Sequence, residues 1–101
     1  MAGYYTITTA DNGKVLGFPL KSDGTSNNFT SCTATLCLRD QNGNLYARSM
    51  VWNALTLEWE YSVVASEFPA SRYWCMVAVT FPGPIGPIYS SESIFDVIAA
   101  D

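Results

Sequence analysis

Apolar and polar residues alternate with period two, turn signals separate these segments at short and regular spacing, and no stretch of about ten residues has helical period. These three observations predict an all-β chain. About seven short strands in 101 residues is the pattern of an immunoglobulin-like antiparallel β-sandwich, with a small closed barrel as the alternative. The length suits one domain, residues 1–101, with enough apolar residues (49%) to bury a core.

The elements read in order. Tyr4 to Thr9 is a first edge strand, and Asp11-Asn12-Gly13 a turn. Lys14 to Leu20 is a second strand with Leu16, Phe18 and Leu20 inward; Pro19 has no N–H for a ladder, so this strand sits at an edge or pairs through one side only. Lys21 to Ser31 is a long polar loop. Cys32 to Arg39 alternates, with Cys32, Ala34, Leu36 and Leu38 inward and Thr33, Thr35, Cys37 and Arg39 outward. Asn42-Gly43 supplies the positive φ angles of a tight hairpin, so Leu45 to Trp52 folds back beside that strand.

Asn53 to Thr56 turns into Leu57-Glu58-Trp59-Glu60-Tyr61-Ser62-Val63, whose odd positions face inward. Ser66 to Ser71 is a short helical turn or corner. Arg72 to Phe81 is the longest strand, with Tyr73, Cys75, Val77, Val79 and Phe81 inward. Pro82 to Pro87 is a stiff turn, and Ile88 to Ile98 closes the domain, broken at Ser90 to Ser93. Tyr73 lies two residues before Cys75 and follows a corner. That is the spacing of a tyrosine corner, in which the phenol bonds back to the corner backbone.

The composition also excludes functions. With five Lys and Arg and a formal net charge of −4, no basic stripe exists to neutralise nucleic-acid phosphates or to dock on an anionic membrane. No apolar run reaches the roughly 18 residues of a membrane-spanning helix. The first residues lack the charged start and apolar stretch of a signal peptide. Cys32, Cys37 and Cys75 make an odd number, which reads as free thiols in a reducing compartment. A Cys32–Cys75 bridge is disfavoured by that count.

The chain has no histidine, which removes Ser-His-Asp and Cys-His machinery and the commonest zinc ligand. Cys32 and Cys37 do not have zinc-ligand spacing, and Asp40 to Asn44 lacks the later acidic ligand of a calcium loop. Glu58 and Glu60 share one strand face, which alternation alone explains. Asn28-Phe29-Thr30 matches a glycosylation tripeptide, a pattern that also arises by chance. The expectation is no catalytic residue, no cofactor and no metal.

What stands out is large apolar residues assigned outward. With odd positions as the core face, Tyr46, Arg48, Met50 and Trp52 on one strand and Trp74 and Met76 on another face away from it. Tyr, Trp, Met and Arg are the types enriched in protein interfaces. Tyr46, Met50, Trp52, Trp74 and Met76 are therefore the expected contact residues, with Ile85 in the proline-rich turn as a second candidate. The competing explanation is that other segments cover them, or that the inward assignment is reversed for one strand.

The order of Asn28-Phe29-Thr30-Ser31-Cys32-Thr33-Ala34-Thr35-Leu36, Arg39-Asp40-Gln41-Asn42-Gly43, Glu58-Trp59-Glu60-Tyr61, Arg72-Tyr73-Trp74-Cys75-Met76, Pro82-Gly83 and Phe95-Asp96-Val97 resembles the N-terminal immunoglobulin-like domain of phage baseplate upper proteins and related tail-fibre modules. The chain departs from that pattern where Phe29 to Cys32 lacks the usual glycine and where Ser71 precedes the tyrosine. The resemblance implies a non-catalytic structural role in a virion assembled in the bacterial cytoplasm. It further implies other virion proteins as partners and a homo-oligomer with a trimer favoured; the charge balance sets the expectation of neither nucleic acid nor membrane. A carbohydrate- or host-surface-binding module is the second reading, with exposed Trp and Tyr stacking on sugar rings; an enzyme is a remote third.

Overall fold

The alternating segments become strands largely where the period-two pattern places them. A computed structural model of the chain describes residues 4–22, 25–26, 29, 31–83, 87–90 and 92–100. Its strands are β1 (Tyr4–Thr8), β2 (Val15–Phe18), β3 (Lys21–Ser22), β4 (Thr25–Ser26), β5 (Thr33–Asp40), β6 (Leu45–Ser49), β7 (Val51–Asn53), β8 (Glu58–Ser62), β9 (Ser71–Thr80), β10 (Ile88–Tyr89) and β11 (Ser93–Ile98). The larger sheet has the order β1-β11-β9-β5-β6, with β10 also on β9, and the smaller sheet has the order β2-β8-β7. In immunoglobulin lettering β2, β8 and β7 take the places of B, E and D, and β11, β9, β5 and β6 those of G, F, C and C′. The fold is an all-β, immunoglobulin-like sandwich.

Four details differ from the sequence reading. The β1–β11 pair is parallel, from Tyr4↔Ile94 to Thr8↔Ile98, whereas every other described pairing is antiparallel. The stretch from Lys21 holds a short β3–β4 ladder and is not wholly loop. Leu45 to Trp52 is two strands: Met50 marks the crossing, β6 pairing with β5 in the larger sheet and β7 with β8 in the smaller. The corner before β9 is turns without helix, and Ser66 takes a positive φ of 60°.

The β5–β6 turn is one residue longer than the tight hairpin that Asn-Gly predicts. Gln41, Asn42 and Gly43 form the loop, with Gly43 N–H donating to Asp40 O (3.2 Å), Asp40 N–H donating to Asn44 O (3.0 Å) and Gly43 at φ +86°. This is a type I turn closed by a glycine bulge. The Asp40 side chain selects it: Oδ1 accepts the N–H groups of Asn42 and Asn44 (2.9 Å each), and Oδ2 accepts Asn44 Nδ2 (3.0 Å). Burial pulls the Asp40 pKa upward, but the bonds from Asn44, Asn42 and Gly43 outweigh it and hold the carboxyl below its usual range. The residue is 6% exposed and pairs with Tyr73 across β5–β9.

Leu36, Leu38, Trp59, Val63, Tyr73, Cys75, Val77, Val79 and Phe95 are fully buried between the sheets. Aromatic clusters close the two ends. Phe29, Trp52, Trp59 and Phe81 pack at one, and Tyr46, Phe68, Tyr73 and Phe95 at the other. The tyrosine corner is present: Tyr73 Oη donates to Pro69 O at 2.6 Å.

All three cysteines are free. Cys75 holds the place of an antibody domain's second cysteine, but β2 offers only Leu16 and Phe18 inward. Cys32 lies beside β5 in the same sheet as Cys75, whose partner on β5 is Leu38. That offset of about six residues spans roughly 20 Å, beyond the reach of a disulfide. Burial first, and the charge of Glu92 second, push the Cys75 thiol up to about 12, against a backbone bond from Ser93. It is an inert core residue.

Two predictions follow from the corner and the turn. Tyr73→Phe, which strips the Pro69 carbonyl of its donor, is expected to lower stability by about 1–2 kcal/mol in urea denaturation; an unchanged midpoint removes the corner from the energetics. Asp40 has a folded pKa below its unfolded value of about 3.9, so its contribution is complete above that pH and is lost as pH falls through the folded value. Acid unfolding monitored by tryptophan fluorescence is expected to show a pH-dependent destabilisation below about pH 4 that Asp40→Asn diminishes, with Asp40→Asn less stable than the parent at pH 7.

Candidate functional site

The hairpin register decides which side chains reach the outer face of the larger sheet. In β5–β6, Leu38 pairs with Tyr46 and Leu36 with Arg48, and directly paired residues share a face. The even positions of β6 therefore lie on the core side. A two-residue turn would have shifted the register by one and sent them outward. Three of the five expected contact residues are corrected: Tyr46 and Met50 by this register, which Met50 N–H continues by donating to Ala34 O, and Trp52 by its pairing with the buried Trp59 in the smaller sheet. Tyr46 packs edge-on against Phe68 and Tyr73, with ring centroids 5.6 Å apart in each case. Met50 is buried, and Trp52 lies 5.4 Å from Phe29 and 5.3 Å from Trp59.

Arg48 follows the same register into a latch between the sheets. Its Nε donates to Glu67 Oε1 at 2.8 Å, its guanidinium lies 4.9 Å from the Phe68 ring, and Nη1 donates to Ala47 O at 2.9 Å. Glu67 also accepts Tyr61 Oη and the Val64 N–H. Burial would raise the Glu67 pKa, but bonds from Tyr61, Val64 and Arg48 bring it below its usual range. Burial and the bond to Glu67 push Tyr61 up to about 12. A capped carbonyl on an edge strand also discourages further strand pairing there.

Trp74 and Met76 do point outward, each partly covered by its neighbours. The β9 neighbours place Trp74 between Ile94 of β11 and Arg39 of β5, and Met76 beside Cys37. On the far side of β5, Arg39 pairs with Leu45 and Cys37 with Ala47. The Arg39 guanidinium lies 5.0 Å from the Trp74 ring and 3.8 Å from Glu92, and Arg72 grips Asp96 with two bonds of 2.8 and 3.0 Å. Because Cys37 is smaller than the surrounding Trp74, Met76 and Leu45, the face dips there. The depression has a volume of about 130 Å³ and is lined by Cys37, Leu38, Arg39, Leu45, Trp74, Met76 and Glu92.

Leu45, 77% exposed, is the contact candidate that strand alternation missed. Reading Gln41-Asn42-Gly43 as a three-residue turn after Asp40 would have found it, since that register exchanges Leu45 for Tyr46 on the outer face. Ile85, Asn28 and Thr30 lie outside the described residues.

Glu58 and Glu60 project from the outer face of the smaller sheet, where Glu60 accepts a bond from Asn53 Nδ2 at 3.1 Å. Among the described residues no group of three or more His, Cys, Asp or Glu is placed to hold a metal ion. The arrangement offers an apolar dimple with a charged rim. No protein-family model matches the chain, and no curated protein shows significant sequence similarity to it.

The latch gives a testable energy. Glu67→Gln is expected to cost about 1.5–3 kcal/mol in chemical denaturation by weakening charge-assisted bonds to Arg48 and Tyr61. A loss within experimental error would mean that the latch is dispensable.

Proposed function

We propose that this domain is a non-catalytic structural module that assembles with copies of itself, and with neighbouring proteins, through the outer face of its larger sheet. The observation that carries this reading is the contiguous surface of Trp74, Met76, Cys37 and Leu45 around one dimple. Monomeric surfaces hold scattered apolar residues, whereas a clustered patch with Trp, Met and Arg has the composition of a contact centre. Leu45 offers most of the area that docking would newly bury, about 1.5–3 kcal/mol for a fully covered Leu, with smaller additions from the already partly covered Trp74 and Met76. The resemblance to phage baseplate and tail-fibre modules supports a virion setting, with virion proteins as partners and a trimer as the favoured assembly. Free Cys32, Cys37 and Cys75 are compatible with assembly in a bacterial cytoplasm.

Sugar binding is less well supported. The Trp74 ring that would stack on a sugar already carries the Arg39 guanidinium.

Trp74→Glu tests the reading. The variant is expected to keep its circular dichroism spectrum and cooperative melting, while its mass by multi-angle light scattering falls to the monomer. A wild-type chain that stays monomeric at high concentration, or a variant with unchanged mass, overturns it.

A further inference from the structure

We propose that the dimple receives Leu55 of a second copy, so that copies join head to tail. This rests on the reading of the outer face as an assembly surface and adds the partner's contact group. Leu55 is the most exposed large hydrophobic residue described, at 96%. It stands on the β7–β8 turn, which is fixed in place: Leu55 N–H and Thr56 N–H donate to Asn53 Oδ1 (2.9 and 3.2 Å), and Leu57 N–H donates to Asn53 O (2.8 Å). A preorganised knob loses little freedom on docking.

The knob and the dimple cannot meet within one chain. The strand directions put Leu55 at the end of the sandwich where β7 finishes and β8 begins. The dimple lies on the opposite sheet's outer face, toward the Gln41–Gly43 turn, in a molecule 43 Å long. A contact between two different patches is heterologous; it propagates to a ring if the rotation closes and to a filament if it does not.

Charge fits the same pairing. The outward positions of β2, β8 and β7 hold Glu58 and Glu60 and no cation among the described residues. The dimple's rim holds Arg39 and Glu92, equally half-exposed and only loosely paired at 3.8 Å, so the guanidinium can pair with a second carboxylate. Docking Leu55 brings the acidic end of the smaller sheet toward that guanidinium.

The test uses two variants and their mixture. Leu55→Asp destroys the knob and keeps the dimple; Trp74→Glu destroys the dimple and keeps the knob, with Leu45→Asp in its place should Trp74→Glu fail to fold. Each alone is expected to be monomeric, and an equimolar mixture to form a heterodimer that grows no further, because one intact knob and one intact dimple remain. If Leu55→Asp keeps the wild-type mass while Trp74→Glu loses it, the head-to-tail inference falls and the outer-face reading stands. If both keep it, or the wild type is a monomer, both fall. If both lose it and the mixture stays monomeric, the head-to-tail inference falls. A covalent readout is independent of these: Leu55→Cys with Cys32→Ser, oxidised with copper–phenanthroline, is expected to give a ladder past the dimer through Leu55→Cys and Cys37 of successive copies. Adding Cys37→Ser is expected to remove every band above the dimer; a ladder that never passes the dimer overturns the inference.

Discussion

The carboxylate of Asp40 fixes the register on which the rest of the sandwich depends. By accepting from Asn42 and Asn44 it makes a three-residue turn the low-energy closure of β5 and β6, and Gly43 takes the positive φ that this closure requires. A slip of one residue would exchange the two faces of β6. Tyr46 would leave the aromatic cluster around Tyr73, Arg48 would leave Glu67, and Leu45 would turn inward. Its neighbours explain why a charge is tolerated there. The site is nearly covered, yet the carboxylate oxygens are bonded to backbone and amide donors, which offsets the loss of water.

From that register the two sheets are joined along one side. β6 ends at Ser49; the next residue, Met50, donates its N–H to Ala34 O, and the chain then passes to the smaller sheet as β7. The crossing brings Trp52 onto Trp59 and Phe29 at one end, while Arg48, Glu67 and Tyr61 close the gap near the other. The outer face is what remains after these demands are met. Trp74 and Met76 occupy positions that the core does not use, on the strand whose alternate residues Tyr73, Cys75, Val77 and Val79 are all fully buried.

Much of this was legible in the sequence. Strict alternation in β5, β8 and β9 marked the buried residues, because one methyl-rich face and one polar face is what a half-buried sheet requires. The tyrosine corner was legible from spacing alone. The face of β6 was not, since alternation gives the period and not the phase; the phase was written in Asp40, three residues before Gly43. The parallel placement of β1 was also hidden. Nothing local in Tyr4 to Thr8 says which distant strand it joins, and its pairing depends on contacts such as Thr9 N–H to Ile98 O that only the assembled fold supplies. The cysteine pairing was limited in the same way: inward direction was legible, but sheet membership was not.

The parallel β1–β11 pair has a mechanical consequence. Tyr4 begins one strand at one end of the ladder and Ile98 ends the other strand at the opposite end. Tension applied through these two points pulls the strands along their length in opposite senses. All five registered pairs then bear load together in shear, where an antiparallel hairpin pulled from its open end would release one rung at a time. The β1–β11 ladder therefore resists tension on its two outer ends by shear of the whole register and not by peeling.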